Sequence, residues 1–379
     1  MTSGAFEPGF RGGGPIRSIA QIVDTVPEGV ELRLVTRDRD EGATEPYPGL
    51  SGQWFQRGTA QIFYLDTASP AQWWRLWRDL RTTPFDLMYV NSFWAVRTTV
   101  APLLAALIRI LQVRRILIAP RGEFSDGALS VKAGKKRALL PTWKRVLRLL
   151  KVQWHATAEH EIADIRRNFP ADVVHLVPNQ TALPDEPITD GLPSADHARL
   201  VYVSRIVINK RLHVALEALR HVANPVDLDI WGPIENQEYW ASCQAIIAEL
   251  PNEVQVAYRG ELAPADVRKT FSDYDAFVFP TTGENFGHAI AESLSASCPV
   301  ICTDTTPWTE VLEGGGGSAL ADGSVEEFGL ELKRLSTMSA AERQQNRSAA
   351  ARAYRDWKKT TTVRNILDVA RSAPRAGES

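Results

Sequence analysis

Two carboxylates with seven residues between them, Glu284 and Glu292, sit in the stretch GENFGHAIAESL, just after the apolar run DAFVFP. The run reads as a strand buried on both faces and HAIAESL as the following helix. Gly283–Gly287 therefore fall past the carboxyl end of a strand, where open α/β sheets bind ligands. Gly287 at the helix start lets the backbone approach a ligand, and the first-turn N–H groups favour an anion such as a diphosphate. Glu284 in the loop and Glu292 in the second turn then address different parts of one extended ligand. Alone, the stretch better suits a helix start in which Glu284 only answers the dipole and Glu292 only faces solvent. The stretch SRIVINKRL, from Ser204, shifts that balance. Arg205 and Lys210 leave the end of the strand-like run RLVYV, where two fixed cations neutralise a leaving diphosphate without a metal. The plainer alternative is two solvated charges opening a helix.

Two further stretches end strand-like or glycine-rich segments. FRGGGPIRS places Gly12, Gly13 and Gly14 before a helical run, without the G-x-G-x-x-G spacing of a dinucleotide fingerprint. IAPRGEFSDGAL places Arg121, Gly122, Glu123 and Ser125 at another strand end. Asp38-Arg39-Asp40 and Asp227-Leu228-Asp229 have the shape of metal-binding pairs, but one opens a loop and the other lies along a strand, so no metal site is expected. His288 is read as a binding residue at the helix start, with simple packing in the first turn as its alternative.

These residues need a scaffold, and the chain supplies alternating short β-branched runs and longer amphipathic stretches, the pattern of stacked βα units with mainly parallel sheets. Strand-like runs begin at Val30, Ala60, Phe85, Arg114, Val152 and Asp172, and again at Arg199, Val226, Val254, Asp275 and Pro299. They form two Rossmann-like sets separated by the polar, Pro- and Asp-rich segment 179–198. After Gly314–Gly317 the chain reads as helical and charged, ending in a polar tail. The expected domains are 1–185, 186–355, and a carboxyl-terminal helix and tail over 356–379.

With 379 residues, 44% of them hydrophobic, the chain can build a large core. A formal charge of −2 gives no reason to expect nucleic acid as partner. Cys243, Cys298 and Cys302 lack zinc or redox spacing and read as reduced thiols of a cytoplasmic protein. No leader or membrane span is read from the sequence. The charge is uneven, however: 132–151 carries eight Lys and Arg and no acidic residue, interleaved with Leu and Trp143. That segment suits either an anionic bilayer or lipid-linked diphosphate, or a helix whose apolar face packs on a sheet. Trp73, Trp74 and Trp77 follow Ser69-Pro70, a cap and first-turn pair, and are read chiefly as core.

Together these stretches resemble the retaining glycosyltransferases of family four, GT-B enzymes that use nucleotide-diphosphate sugars, over nearly the whole chain. The firmest match is Glu284 and Glu292 in ENFGHAIAE, with Arg205 and Lys210 matching the family's diphosphate-binding pair. GGGPIRS, APRGEFS and the Thr306-Pro307-Trp308 stretch resemble a subset from surface-polysaccharide assembly.

The resemblance implies two Rossmann-like domains facing a cleft and a final helix returning to the first. It implies that Arg205, Lys210 and Glu284 carry catalysis, with Glu284 on the donor sugar and Glu292 on the ribose. Asn285, Phe286, Gly287 and His288 would hold sugar and phosphates, Gly13 and Gly14 would contribute to the donor site, and the base would lie against Arg259, Gly260, Glu261 and Leu262. No cofactor or metal is implied. The leaving phosphate oxygen takes the acceptor proton, so the Glu pair is not the flanking pair of a glycosidase.

The sequence departs from the family in two places. Arg121 stands where many members have a loop His, so no catalytic-loop His is assigned, and Arg121 and Glu123 become acceptor-side or donor contacts. MTSGAFEPGF also leaves little room for an apolar first strand, so either the first sheet lacks a central strand, exposing its neighbours' edges, or the start lies upstream. The expected function is transfer of a hexose-type sugar, with retention, to a glycan or lipid-linked acceptor in the cytoplasm, with 132–151 against the inner face of the plasma membrane. The alternatives are a catalytically silent nucleotide-sugar-binding subunit and another GT-B enzyme such as an epimerase. The sequence leaves the base, the sugar and the acceptor open.

Overall fold

The computed structural model describes residues 1–124, 133–190, 196–361 and 364–372, with the backbone alone over 133–139. The chain divides into two compact units, Met1–Gln180 with Val363–Ser379, and Thr181–Thr362.

In the second unit six strands, β8 (Ala198–Val203), β9 (Val226–Trp231), β10 (Val254–Gly260), β11 (Ala276–Phe279), β12 (Val300–Thr303) and β13 (Gly317–Leu320), form one sheet in the order β10-β9-β8-β11-β12-β13. Every pairing is parallel. Numbered along the chain this is 3-2-1-4-5-6, so the order reverses between β8 and β11, the position at which doubly wound sheets open a crevice at the strands' carboxyl ends. β11 and β12 are buried at every residue, which is why AFVF and VICT read as unbroken apolar runs.

The strand β13 corrects the expectation that the chain turns helical after the glycine run. Gly317 has φ +149°, and a Cβ there would stand 1.9 Å from the Val300 carbonyl oxygen, so only glycine lets this strand dock on β12. The long helix Ala340–Thr360 is anchored here from within: Arg347 donates to the carbonyls of Ser272, Tyr274 and Ala296, and Arg343 pairs with Asp275.

The first unit carries β1 (Arg33–Arg37), β2 (Trp54–Arg57), β3 (Ala60–Leu65), β4 (Phe85–Asn91), β5 (Val113–Ala119), β6 (Gln153–Ala156) and β7 (Val174–Leu176). The pairings run β1-β3-β2 and β4-β5-β6-β7, with β2 antiparallel to β3 and the rest parallel. The expected gap between β1 and β4 is closed by the first three residues. Ser3 N–H donates to Val35 and Val35 N–H to Met1, while Thr2 N–H donates to Tyr89 and Asn91 N–H to Thr2. Three residues thus hold the central position and satisfy edges expected to be exposed. Beside them lies an apolar cavity whose lining includes Met1, Val35, Leu76, Trp77, Leu87 and Val113.

Helix Pro70–Leu80 starts at Ser69, whose side chain accepts from Gln72 N–H, with Pro70 at its first position. Trp73 and Trp77 stack at 5.3 Å against the core, whereas Trp74 is 64% exposed beneath the Arg78 guanidinium. In helix Ala133–Leu149, Leu140, Trp143 and Leu147 pack on the core and Leu149 stays exposed; Lys132 and the side chains of 133–139 lie outside the described residues. The short helix Ile366–Ser372 buries Ile366, Leu367 and Ala370 in the first unit. Among the described residues no helix is long and apolar enough to cross a membrane.

Candidate functional site

In the second unit the two loops that leave β8 and β11 meet at the switch point. The β8 loop runs through a single turn, Ile208–Lys210, whose last carbonyl accepts from the buried Tyr202 hydroxyl at 3.2 Å. Thr282 N–H donates to the Asn209 carbonyl at 3.0 Å and stitches the loops together. Lys210 Nζ then forms an ion pair with Glu284 Oε1, the two side chains being 12% and 17% exposed. Thr281 Oγ1 donates to the same carboxylate oxygen at 3.3 Å, and Lys210 Nζ lies 5.4 Å from the Phe279 ring centroid. Arg205, nearer the strand end, is turned to Glu235 with N–O distances of 3.1 and 3.3 Å. Each expected phosphate cation therefore already faces a carboxylate, and Glu235 and Thr281 are partners that sequence reading missed.

Gly287 caps helix His288–Ser295 with φ +82°, a left-handed value that glycine adopts without strain. Gly287 brings no capping side chain and the helix has no acidic residue in its first turn, so no carboxylate of its own first turn offsets the positive end of its dipole. An aromatic cluster fixes the loop ahead of it. The Trp308 indole N–H donates to the Phe286 carbonyl, Trp308 and Trp357 lie 4.6 Å apart, and Phe286 packs on His288 at 4.7 Å. The Thr-Pro-Trp stretch thus has a physical task, to hold the Phe286–Gly287 peptide. Glu292 is only 7% exposed, which removes the reading of a solvated face residue.

Arg259, Gly260, Glu261 and Leu262 sit at the end of β10, two strands from β8. Arg259 Nε donates to Asp229 at 2.9 Å, and Asp229 also accepts from Tyr274 at 2.7 Å. Asp227 faces His197 at 2.8 Å. The Asp227 and Asp229 pair is thus used internally, and among the described residues no cluster suits a metal ion.

In the first unit the glycine loop leads into helix Gly14–Asp24, with Gly13 at φ +66°. Asp40 accepts from the N–H groups of Phe10 and Arg11 and so pins the loop from below. The Arg121–Glu123 loop after β5 is tied on every side. Arg121 donates to Asn91 Oδ1 at 2.8 and 3.2 Å, to Asn179 Oδ1, and to the Tyr89 hydroxyl at 3.2 Å. Gly122 N–H donates to buried Glu161, whose other oxygen takes Thr157. Glu123 accepts from the Ser92 hydroxyl and from the N–H groups of Phe93 and Trp94. Ser125 lies outside the described residues.

Beneath Arg121, Tyr89 meets His155 Nδ1 at 2.6 Å while His155 Nε2 lies 2.8 Å from the Val177 carbonyl. A carbonyl only accepts, so Nε2 carries the proton and Nδ1 receives the Tyr89 hydroxyl. Burial pushes His155 down to about 3 and Tyr89 up to about 12, so both are neutral at pH 7.

Residues 189–354 match the family model described as glycosyl transferases group 1. No curated protein matches the chain significantly. The solved structure of sucrose-phosphate synthase from Thermosynechococcus elongatus is similar with a TM-score of 0.70 at 16% identity, over 95% of this chain and 92% of that one. HepE from Anabaena, in complex with UDP and glucose, gives 0.68 at 15% identity over 98% of each chain. The fold is GT-B. WaaG, a glycosyltransferase involved in lipopolysaccharide biosynthesis, gives 0.62 at 15% identity over 97% of each chain. In the GT-B arrangement of the second unit, the segment that matches the family model includes Arg205, Lys210, Glu284 and Glu292.

Proposed function

We propose that this chain is a retaining glycosyltransferase that moves a hexose-type sugar from a nucleotide-diphosphate sugar to a glycan or lipid-linked acceptor, without a metal. One observation carries the reading. Lys210 and Glu284 meet at the switch point beside the glycine-led start of helix His288–Ser295, within the segment that matches group 1 glycosyl transferases. A diphosphate suits that helix start and the Arg205 and Lys210 cations; sugar hydroxyls suit Glu284, and ribose hydroxyls suit Glu292. The Phe286–His288 backbone supplies N–H donors, and the Arg259–Leu262 loop is assigned to the base.

In the proposed reaction the bond from the anomeric carbon to the phosphate oxygen breaks while the acceptor oxygen bonds on the same face. The acceptor proton passes to the leaving phosphate oxygen, and Arg205 and Lys210 stabilise the charge that develops there. Gly13 and Gly14 are assigned to the donor side. Arg121 and Glu123, whose polar atoms hold Asn91, Asn179 and the Ser92–Trp94 backbone, are assigned to shaping the acceptor-side loop. The reading includes a cytoplasmic location, with 132–151 on an anionic membrane face.

Thermal unfolding and calorimetry with UDP, GDP, ADP and their hexose conjugates, with and without chelator, test this. Stabilisation by one nucleotide that ignores chelator and is lost in Arg205→Ala is expected, with a sugar-dependent increment lost in Glu284→Ala. Consumption of the bound donor, by transfer or slow hydrolysis, separates an enzyme from a silent binding subunit. If none of the nucleotides stabilises the folded protein, the reading fails.

A further inference from the structure

Lys210 Nζ and Glu284 Oε1 form an ion pair with little solvent around it, and Thr281 Oγ1 donates to the same carboxylate oxygen. Lys210 is also the cation assigned above to the donor's diphosphate. A carboxylate and a phosphate oxygen ask the same thing of one ammonium, namely short charge-assisted hydrogen bonds along the same N–H directions. They therefore compete for it, and the competition is strong because neither charge is freely rehydrated when the pair opens. Arg205 with Glu235 repeats the arrangement closer to solvent, where the two side chains are 39% and 31% exposed.

We infer that Glu284 is a built-in competitor for the diphosphate subsite, so that the site discriminates a nucleotide-diphosphate sugar from the bare nucleoside diphosphate. This rests on the donor-site reading above. When a sugar nucleotide binds, its hydroxyl groups hydrogen-bond the carboxylate that leaves Lys210, and the exchange is balanced. When a nucleoside diphosphate binds, it takes Lys210 and leaves Glu284 with Thr281 alone, so part of the phosphate's binding free energy is cancelled. After transfer the product is the bare diphosphate. Glu284 then returns to Lys210 and helps to displace it, which links loss of the sugar to release of the leaving group. Glu235 has no such selectivity, because its competition for Arg205 is the same whether or not a sugar is attached.

The test is calorimetric titration of the wild-type chain, Glu284→Gln and Glu235→Gln with UDP, GDP and ADP and with their hexose conjugates. Replacing the carboxylate by the isosteric amide removes the competing charge. A pair of intermediate burial predicts about tenfold tighter binding of the bare diphosphate to Glu284→Gln, with binding of the sugar nucleotide unchanged or weaker. Glu235→Gln should tighten both ligands equally, by no more than about threefold, and lose that gain as salt rises. Glu284→Ala gives the same sign for the diphosphate should the new amide make contacts of its own.

Equal or weaker diphosphate binding in both Glu284 variants, with Lys210→Ala still abolishing it, overturns the competitor role and leaves the donor site standing. Absence of binding by any nucleotide to the folded wild-type chain overturns the donor-site reading, and the inference with it.

Discussion

The buried His155 gives the first unit a defined acid sensitivity. Its ring is 2% exposed, its Nδ1 accepts from Tyr89, its Nε2–H donates to Val177, and the nearest charge is the Arg121 guanidinium, with His175 as a second titratable neighbour. Burial strips the imidazolium of water and the Arg121 guanidinium repels it, so folding lowers the pKa from its ordinary 6.5 to about 3. For a base whose folded pKa is depressed, the unfolded chain binds the proton more readily, and stability falls as pH drops from 6.5 towards 3. At pH 5 about 1.5 pH units of that window have been crossed, which at 1.36 kcal/mol per unit is roughly 2 kcal/mol. The assay is urea unfolding at pH 7.5 and pH 5.0 for the wild-type chain and for His155→Gln, which keeps an amide donor and acceptor but does not titrate. The difference between the two proteins should change by about 2 kcal/mol across this interval, the other titrating groups cancelling. A change below about 0.5 kcal/mol would mean that the ring is solvated or charged in the fold, and the hydrogen-bond assignment under Arg121 would be wrong.

Gly317→Ala should be among the most damaging single-methyl changes, costing more than about 3 kcal/mol in chemical denaturation, because its Cβ meets backbone at 1.9 Å and β13 must leave β12. Gly287→Ala meets only the tip of Ile290 at 3.0 Å and the Trp308 indole at 3.3 Å, so about 1–2 kcal/mol of left-handed strain is expected in unfolding curves, together with a larger loss of nucleotide binding. Trp308→Phe removes the N–H held by the Phe286 carbonyl; nucleotide affinity should fall about tenfold while secondary structure by circular dichroism is retained. The triple change Lys144→Glu, Arg145→Glu and Arg148→Glu should abolish co-sedimentation with vesicles containing phosphatidylserine, an effect that high salt mimics on the wild-type chain.

The elements that could be read from sequence were those whose burial repeats along the chain. AFVF and VICT are buried at every position and stand out as apolar runs. Trp54–Arg57 is half exposed and antiparallel to β3, so its short run WFQR carries no period that marks it as a strand. β13 was hidden for the opposite reason: its docking on β12 needs a residue without a side chain, and a glycine run reads as a break rather than a strand. Lys210 and Glu284 were legible because each lies in the loop that leaves the carboxyl end of a recognisable strand, where an open sheet places its ligands. Their partners were not. Glu235 answers Arg205 across 30 residues and Asn179 answers Arg121 across 58, pairings that exist only once the strands are ordered.

The two units share a plan and use it differently. In each, the strand order reverses beside a central element, Met1–Ser3 in one and β8 in the other, and a glycine-led helix start lies in a loop near that point. In the first unit the polar groups of the following loops are largely consumed by the fold: Glu123 by three donors, Glu161 by Gly122 and Thr157, and Arg121 by two Asn carbonyls and a Tyr hydroxyl. Mutating them should therefore lower stability before it alters ligand selectivity, since each leaves buried donors or acceptors unmatched. In the second unit the corresponding charges meet as two cation–carboxylate pairs, which an anion can open without unfolding anything. Charge chemistry that must respond to a ligand belongs where pairs can exchange partners. By that criterion the donor recognition proposed above falls chiefly to the second unit, whereas the loops of the first are shaped by hydrogen bonds already made.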